Sequence, residues 1–330
     1  MRYFKLPYTD ISVSAMSMGT WGFSGAKTWG ESDDELSIRT IHSAMDFGIN
    51  LFDSAVRYGD GKAEEVLGRA ISDRREKALV ATKVYMDFLT YDGVISQCEG
   101  SLKRLATDYI DIYQIHWPNR EIPADETMRA FEDLKAAGKI REIAVCNHGA
   151  EALKGVRGHK IALNQLPYSL IWRLIEREAA PESEKNGIAI WAYSPLAQGL
   201  LAGSYTSVDE VPLHRRSTRF YDSKWGQGRH DDAGFETIVF DFINKLHAVC
   251  KRTGYSMPVL SLAFLQSRPN VGSVLVGSRN PEQLEQNVKA FETEVPADII
   301  AEITALSAEL IPQMGTNADM WENQNGGRMF

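Results

Sequence analysis

The stretch Ile49-Asn50-Leu51-Phe52-Asp53-Ser54-Ala55-Val56-Arg57-Tyr58-Gly59-Asp60-Gly61 decides the fold. It opens with a mainly apolar run, Ile49–Phe52, that reads as a short buried strand. An acid follows at the strand end, and then a turn punctuated by two glycines. A strand, a glycine-rich turn and a helix also begin a Rossmann dinucleotide unit, but that unit needs G-x-G-x-x-G. Here Gly59-Asp60-Gly61 runs on into Lys62, Ala63 and Glu64, so the third glycine is missing. There is no Walker A sequence either, and an open doubly wound sheet loses its usual signature.

Seven further runs read as strands: Ala15–Met18, Ala78–Thr82, Ile110–Ile115, Glu142–Val145, Ala162–Gln165, Ile188–Ala192 and Ser273–Val276. Most are mainly apolar, as strands covered on both faces are. Helical patterns lie between them. Ile95, Cys98, Leu102 and Leu105 share one helix face over 94–105, and Met128, Phe131 and Leu134 do so over 125–137, which stops at Gly138. Ser32-Asp33-Asp34-Glu35 reads as a capping box, and Asn280-Pro281-Glu282-Gln283 as a cap with proline at the first helical position. Eight strand–helix units in series predict a parallel (β/α)8 TIM barrel in one domain. The barrel is expected over 1–311, with a long loop after the seventh strand (195–235), a last helix near 297–309 and a C-terminal tail at 312–330.

The 330 residues are 44% apolar and carry a formal charge of −8, with no basic block, which argues against nucleic acid as a partner. Cys98, Cys146 and Cys250 are odd in number and widely spaced, which fits a reducing compartment better than disulfides or structural zinc. No metal site is expected. No secretory signal or membrane-length apolar run is read, so a cytoplasmic location is expected. The pattern leaves oligomeric state open.

Barrel enzymes place their chemistry at the C-terminal ends of the strands. That rule selects Asp53 and Tyr58 after the second strand, Lys83 after the third and His116 after the fourth. Cys146 and Asn147 follow the fifth, Gln165 the sixth and Tyr193 the seventh. A free phenol has a pKa of about 10. A nearby ammonium favours the phenolate, so Lys83 is expected to make Tyr58 a better acid. Asp53 is expected to hold Lys83 in place, and His116 to offer an N–H to the same oxygen. Singly, each residue reads equally well as a strand-end cap, a loop tyrosine, a solvated lysine or a core histidine. Together they fall on one face in consecutive units.

At these residues the sequence resembles the aldo-keto reductase superfamily, over about residues 1–295. The resemblance is carried by Leu51-Phe52-Asp53-Ser54-Ala55, Tyr58-Gly59 and Glu64-Glu65-Val66-Leu67-Gly68. Further matches are Ala81-Thr82-Lys83, the segment from Ser101 to His116, Gly138-Lys139-Ile140-Arg141, and Tyr193-Ser194-Pro195-Leu196. It implies Tyr58 as general acid, Lys83 as its modulator, Asp53 as partner of the lysine and His116 as orienter of the carbonyl. It implies that Asn147 and Gln165 hold a nicotinamide carboxamide, that Tyr193 stacks on the nicotinamide ring, and that Ser194 and Leu196 are also cofactor contacts. It also implies a 2′-phosphate end of NADP(H) at Gly277, Ser278 and Arg279, with Gln283 and Asn287 near adenine and ribose. A helix N-terminus with an arginine suits a phosphate physically. The chain departs from the family pattern in having Cys146 where serine is frequent and Gln283 where a basic residue is frequent, so NAD(H) stands as the alternative cofactor.

Trp21, Phe23 and Trp29 in Gly19–Gly30, with Trp117 after the histidine, are expected to form a substrate wall. The reaction implied is reduction of an aldehyde, ketone or sugar-like carbonyl to an alcohol. The alternatives are an NAD-linked polyol or sugar dehydrogenase, a cofactor-binding regulatory subunit with little turnover, and a non-redox barrel enzyme. A glycosidase would need a second carboxylate facing Asp53 across about 5–10 Å.

Overall fold

A computed structural model of the chain describes residues 1–25, 29–323 and 326–330. It opens with a hairpin in which β1 (Tyr3–Lys5) pairs antiparallel with β2 (Ser12–Ser14). Eight parallel strands follow: β3 (Met16–Gly19), β4 (Leu51–Asp53), β5 (Leu79–Val84), β6 (Ile110–Ile115), β7 (Ile140–Cys146), β8 (Ile161–Pro167), β9 (Ala189–Tyr193) and β10 (Val271–Gly277). They close into a barrel, with β10 pairing both β9 and β3. The chain is thus a single-domain (β/α)8 barrel, and every run read as a strand contributes one stave.

The hairpin was not read from the sequence. Its three-residue strands are half exposed and lack a clear period. Its role is to stopper the barrel floor. Leu6, Ile11 and Val13 pack onto the interior layer of Leu51, Ala81, Ile112, Ala144, Leu163 and Trp191, all buried. The Trp191 indole N–H finds Ser17 Oγ at 2.6 Å, so this buried tryptophan leaves no donor unmet.

A second apolar layer lies between the staves and the surrounding helices. Its helices include α1 (Asp34–Asp46), α2 (Lys62–Ile71), α3 (Tyr91–Leu105) and α4 (Ala124–Ala136). Phe131 of α4 packs against Tyr113 of β6 with ring centres 5.1 Å apart. α2 and α3 meet closely because Gly68 has no Cβ: one would stand 2.5 Å from the Leu105 carbonyl oxygen. The N-cap of α1 is Asp33, whose carboxylate accepts from the amides of Glu35 and Leu36. This corrects the capping-box reading by one residue. The Ser32 hydroxyl instead donates to the Phe23 carbonyl, because that ties the preceding loop down.

Beyond α5 (Ala150–Gly155) and α6 (Ala179–Lys185), the long loop after β9 is built from short 3-10 turns and leads into α7 (Glu236–Thr253) and α8 (Met257–Gln266). α8 is apolar all round and buried. α9 (Pro281–Glu292) starts as read, with Asn280 Oδ1 accepting from the Gln283 amide at 2.8 Å. After α10 (Ala297–Ala308) the tail returns across the barrel mouth. Trp172 Nε1 donates to the Ala318 carbonyl at 2.9 Å, and the Arg219 amide donates to Met320 at 2.9 Å. No helix among the described residues is long and apolar enough to cross a membrane.

Candidate active site

Asp53 ends β4 and Lys83 lies one residue before the end of β5, so neighbouring staves deliver an acid and a base to the same rim. Both are buried. Lys83 Nζ donates to Asp53 Oδ2 at 2.7 Å, to the Ser54 carbonyl at 2.8 Å and to Tyr58 Oη at 3.2 Å. An ammonium has three protons, and all three are used. Tyr58 therefore accepts from the lysine, which leaves its own O–H to point elsewhere.

The turn that brings Tyr58 there needs Gly59. Its φ is +64°, and a Cβ would stand 2.4 Å from the Ser24 carbonyl oxygen. Asp53 Oδ1 accepts from Gln165 Nε2 at 2.9 Å and from Gln114 Nε2 at 3.3 Å. Gln114 escaped the sequence reading, although a glutamine in the wholly buried run of β6 was a signal.

Burial disfavours the charged forms of the whole cluster. It works against the Lys83 ammonium, but Asp53, with Tyr58 and Cys146, more than offsets it and holds the lysine above its ordinary value. Burial also pushes the Tyr58 phenol up to about 12, against the pull of Lys83 and with a further push from Asp53. The expectation of a phenol more acidic than a free one is corrected accordingly, because desolvation outweighs the ammonium.

His116 meets Tyr58 edge-on, with ring centres 6.2 Å apart, and meets Tyr85 in the same way at 5.8 Å. Burial, then the cations of Lys83, Arg328 and Arg57, hold its pKa well below 6.5. The imidazole is neutral at pH 7, and its buried Nδ1 has no protein partner.

The other expected positions gather around this centre. Asn147, at φ +58°, donates to the His116 carbonyl at 2.9 Å and accepts from the Tyr193 hydroxyl at 2.9 Å. Its amide oxygen and the Gln165 amide are thus already engaged within the protein, each group keeping a spare N–H. Cys146 Sγ lies 3.3 Å from Gln114 Oε1 and 3.8 Å from Gln165 Oε1.

Trp21 stacks near Tyr58 at 6.1 Å and meets Trp29 at 5.5 Å. Trp117 is buried beneath the Arg328 guanidinium, 3.7 Å from its ring centre. Trp321 of the tail touches Trp21 at 5.9 Å and donates to Tyr193 Oη at 3.2 Å. Of the segment Gly19–Gly30, residues 26–28 lie outside the described residues.

The rim between β9 and β10 suits a phosphate-bearing dinucleotide. After β9 the backbone takes left-handed conformations at Ser194, Ala197 and Gln198, a costly arrangement for non-glycine residues that concentrates at ligand sites. Beside Leu196, both side-chain polar atoms of Gln198 are buried without a partner, as are Arg215 Nε and Trp29 Nε1. Arg215 lies over Trp29, 5.8 Å from its ring centre. Buried polar groups of this kind are normally satisfied, so these fit a ligand that supplies acceptors to the N–H groups and a donor to Gln198 Oε1.

Beyond Gly277, Ser278 Oγ accepts from Asn287 Nδ2 at 3.0 Å, and Gln283 Oε1 accepts from the Arg279 amide at 2.9 Å. The Arg279 guanidinium reaches across to the Glu31 carbonyl at 3.1 Å. Gln198 and Arg215 were not read from the sequence, because nothing in a loop's composition shows which of its polar side chains will be buried.

A parallel barrel whose rim carries a buried carboxylate–lysine–phenol relay beside a neutral histidine defines a class of carbonyl-handling oxidoreductases. The Aldo/keto reductase family model matches residues 15–308, and the chain belongs to that family. It is 35% identical over 300 residues to the aldo-keto reductase YhdN of Bacillus subtilis, covering 86% of this chain and 87% of that one. It is 32% identical over 316 residues to an NADH-specific methylglyoxal reductase of Escherichia coli, covering 88% and 94%. A solved aldo-keto reductase from Klebsiella pneumoniae in complex with NADPH superposes with a TM-score of 0.71 at 27% identity, covering 97% of this chain and 99% of that one.

Proposed function

We propose that this protein reduces an aldehyde or ketone to an alcohol with NADP(H), and that Tyr58 is the general acid. The observation that carries this reading is the direction of the bond at 3.2 Å. Lys83 donates to the phenol oxygen, so the phenolic proton is free to face a substrate. A reduced nicotinamide, when bound, supplies a hydride to the carbonyl carbon. Tyr58 supplies the proton to the carbonyl oxygen. Lys83 then stabilises the phenolate left behind, and Asp53 keeps Lys83 charged while that happens. Neutral His116 donates to the same oxygen and steers it toward Tyr58. Trp21 and Trp321 wall the substrate and exclude water, and Trp117, expected in that wall, packs behind it beneath Arg328.

For the cofactor, Asn147 and Gln165 turn their spare N–H groups to the carboxamide, and Tyr193 faces the ring. Ser194, Leu196 and Gly277 line the cleft, Ser278 and Arg279 take the 2′-phosphate, and Gln283 and Asn287 meet the adenosine. The unpaired state of all three cysteines agrees with a cytoplasmic setting.

The test is Tyr58→Phe. It removes one hydroxyl and no charge, so NADPH binding, followed by nucleotide fluorescence, should hold. Turnover of methylglyoxal or a simple aldehyde should fall by about 10²–10⁴-fold, the usual contribution of a positioned general acid. Turnover near the parent rate would remove Tyr58 from that role.

A further inference from the structure

The chain is acidic overall, yet the rim of its catalytic centre is lined with guanidinium groups. Arg57 immediately precedes Tyr58 and lies 4.6 Å from the centre of the Tyr85 ring, whose edge faces His116. Arg328 covers Trp117, the residue after His116. Arg229 lies against the Tyr85 hydroxyl from the opposite loop. Both Arg57 and Arg328 are close enough to His116 to bear on its protonation.

The carboxylates nearby belong to two of the three. Asp319 and Glu322 pair with Arg328 at 3.1 and 3.2 Å, and Glu322 also meets Arg229 at 3.3 Å. Arg57 is exposed, and among the described residues no carboxylate pairs with it. Among the described residues its guanidinium stacks on the Tyr85 ring. A guanidinium in this state matches a carboxylate or phosphate bidentately.

We propose that the substrate is an anionic carbonyl compound, whose carboxylate or phosphate binds Arg57 while its carbonyl sits between Tyr58 and His116. This names the substrate class for the reductase reading and rests on it. Arg57 and His116 both meet the Tyr85 ring, at 4.6 and 5.8 Å from its centre, so that ring stands beside both the proposed anion site and the carbonyl site. That favours a short chain between the two groups over an anion attached directly to the carbonyl carbon. The aromatic wall then packs against the spacer.

The experiment measures kcat/KM with NADPH for matched pairs: 4-oxobutanoate against its methyl ester, and glyceraldehyde 3-phosphate against glyceraldehyde. A charge-assisted hydrogen bond at a partly exposed site supports a preference of about tenfold or more for the anion. Added salt should shrink it. Arg57→Met should lower the ratio of anionic to neutral kcat/KM by about the same factor, and Arg57→Lys should restore part of it. The pair with the larger preference tells carboxylate from phosphate. Equal kcat/KM within both pairs, or a ratio that Arg57→Met leaves unchanged, overturns the proposal while the reductase reading stands. No turnover of any of the four compounds would instead sink the reductase reading itself.

Discussion

The substitution Asp53→Asn tests the electrostatic logic of the site, because it changes one charge and almost no volume. In the parent, Asp53 accepts from Lys83 at 2.7 Å and from two glutamine amides at 2.9 and 3.3 Å. Asparagine turns one of those oxygens into an NH2 group, which must face a donor whichever way the amide is placed. Lys83 meanwhile stays fully buried and loses its counter-charge. Breaking a buried pair from one side costs about 3–5 kcal/mol, much of it for the stranded ion.

A urea melt at pH 7 should therefore show a lower midpoint with little change in slope. Asp53→Asn with Lys83→Met should recover a good part of the loss, since the stranded charge is gone. Asp53 holds the lysine above its unfolded value of about 10.4, so the pair's stabilisation is fully present below that pH. It is lost as pH rises through the folded value, and the single variant should lack this alkaline loss. A single variant within about 1 kcal/mol of the parent at pH 7 would refute the claim that Asp53 is what keeps the buried lysine charged.

Turnover should show no acid limb near pH 6.5 from His116, whose imidazole stays neutral, and should decline only in alkali as the phenol loses its proton; a limb near 6.5 that His116→Gln removes would contradict this. Burial holds His148 down at about 4, so the folded state loses stability as pH falls from about 6.5 toward that value. His148→Gln should flatten that stretch of a thermal-melt profile, and an unchanged profile counts against it. Arg279→Ala should weaken NADPH by about tenfold more than NADH, as loss of a charge-assisted contact to the 2′-phosphate requires; equal weakening would leave Arg279 without that role.

The barrel was legible because most staves are short apolar runs and helices such as α3 and α4 between them carry a clear period. The four residues proposed for catalysis were picked out for a different reason: strand ends are where a barrel exposes side chains, and titratable groups there stand out against Val, Ile and Leu. What stayed hidden depends on chain segments far apart in sequence. The hairpin Tyr3–Ser14 shows its purpose only once there is a floor to close. The raised pKa of Tyr58 follows chiefly from its burial in the folded chain, and no spacing encodes that. Nothing in the sequence marks Arg57, because Tyr85, which follows β5, comes to lie 4.6 Å from it only in the fold.

The contact between Trp21 and Trp321, together with the indole bond from Trp321 to Tyr193, ties the first barrel loop and the seventh stave to a segment that follows the last barrel helix. One wall of the chamber around Tyr58 is thus supplied from outside the eight strand–helix units. Removing the Trp321 side chain would take away that wall and the bond to Tyr193 without removing a residue of any stave.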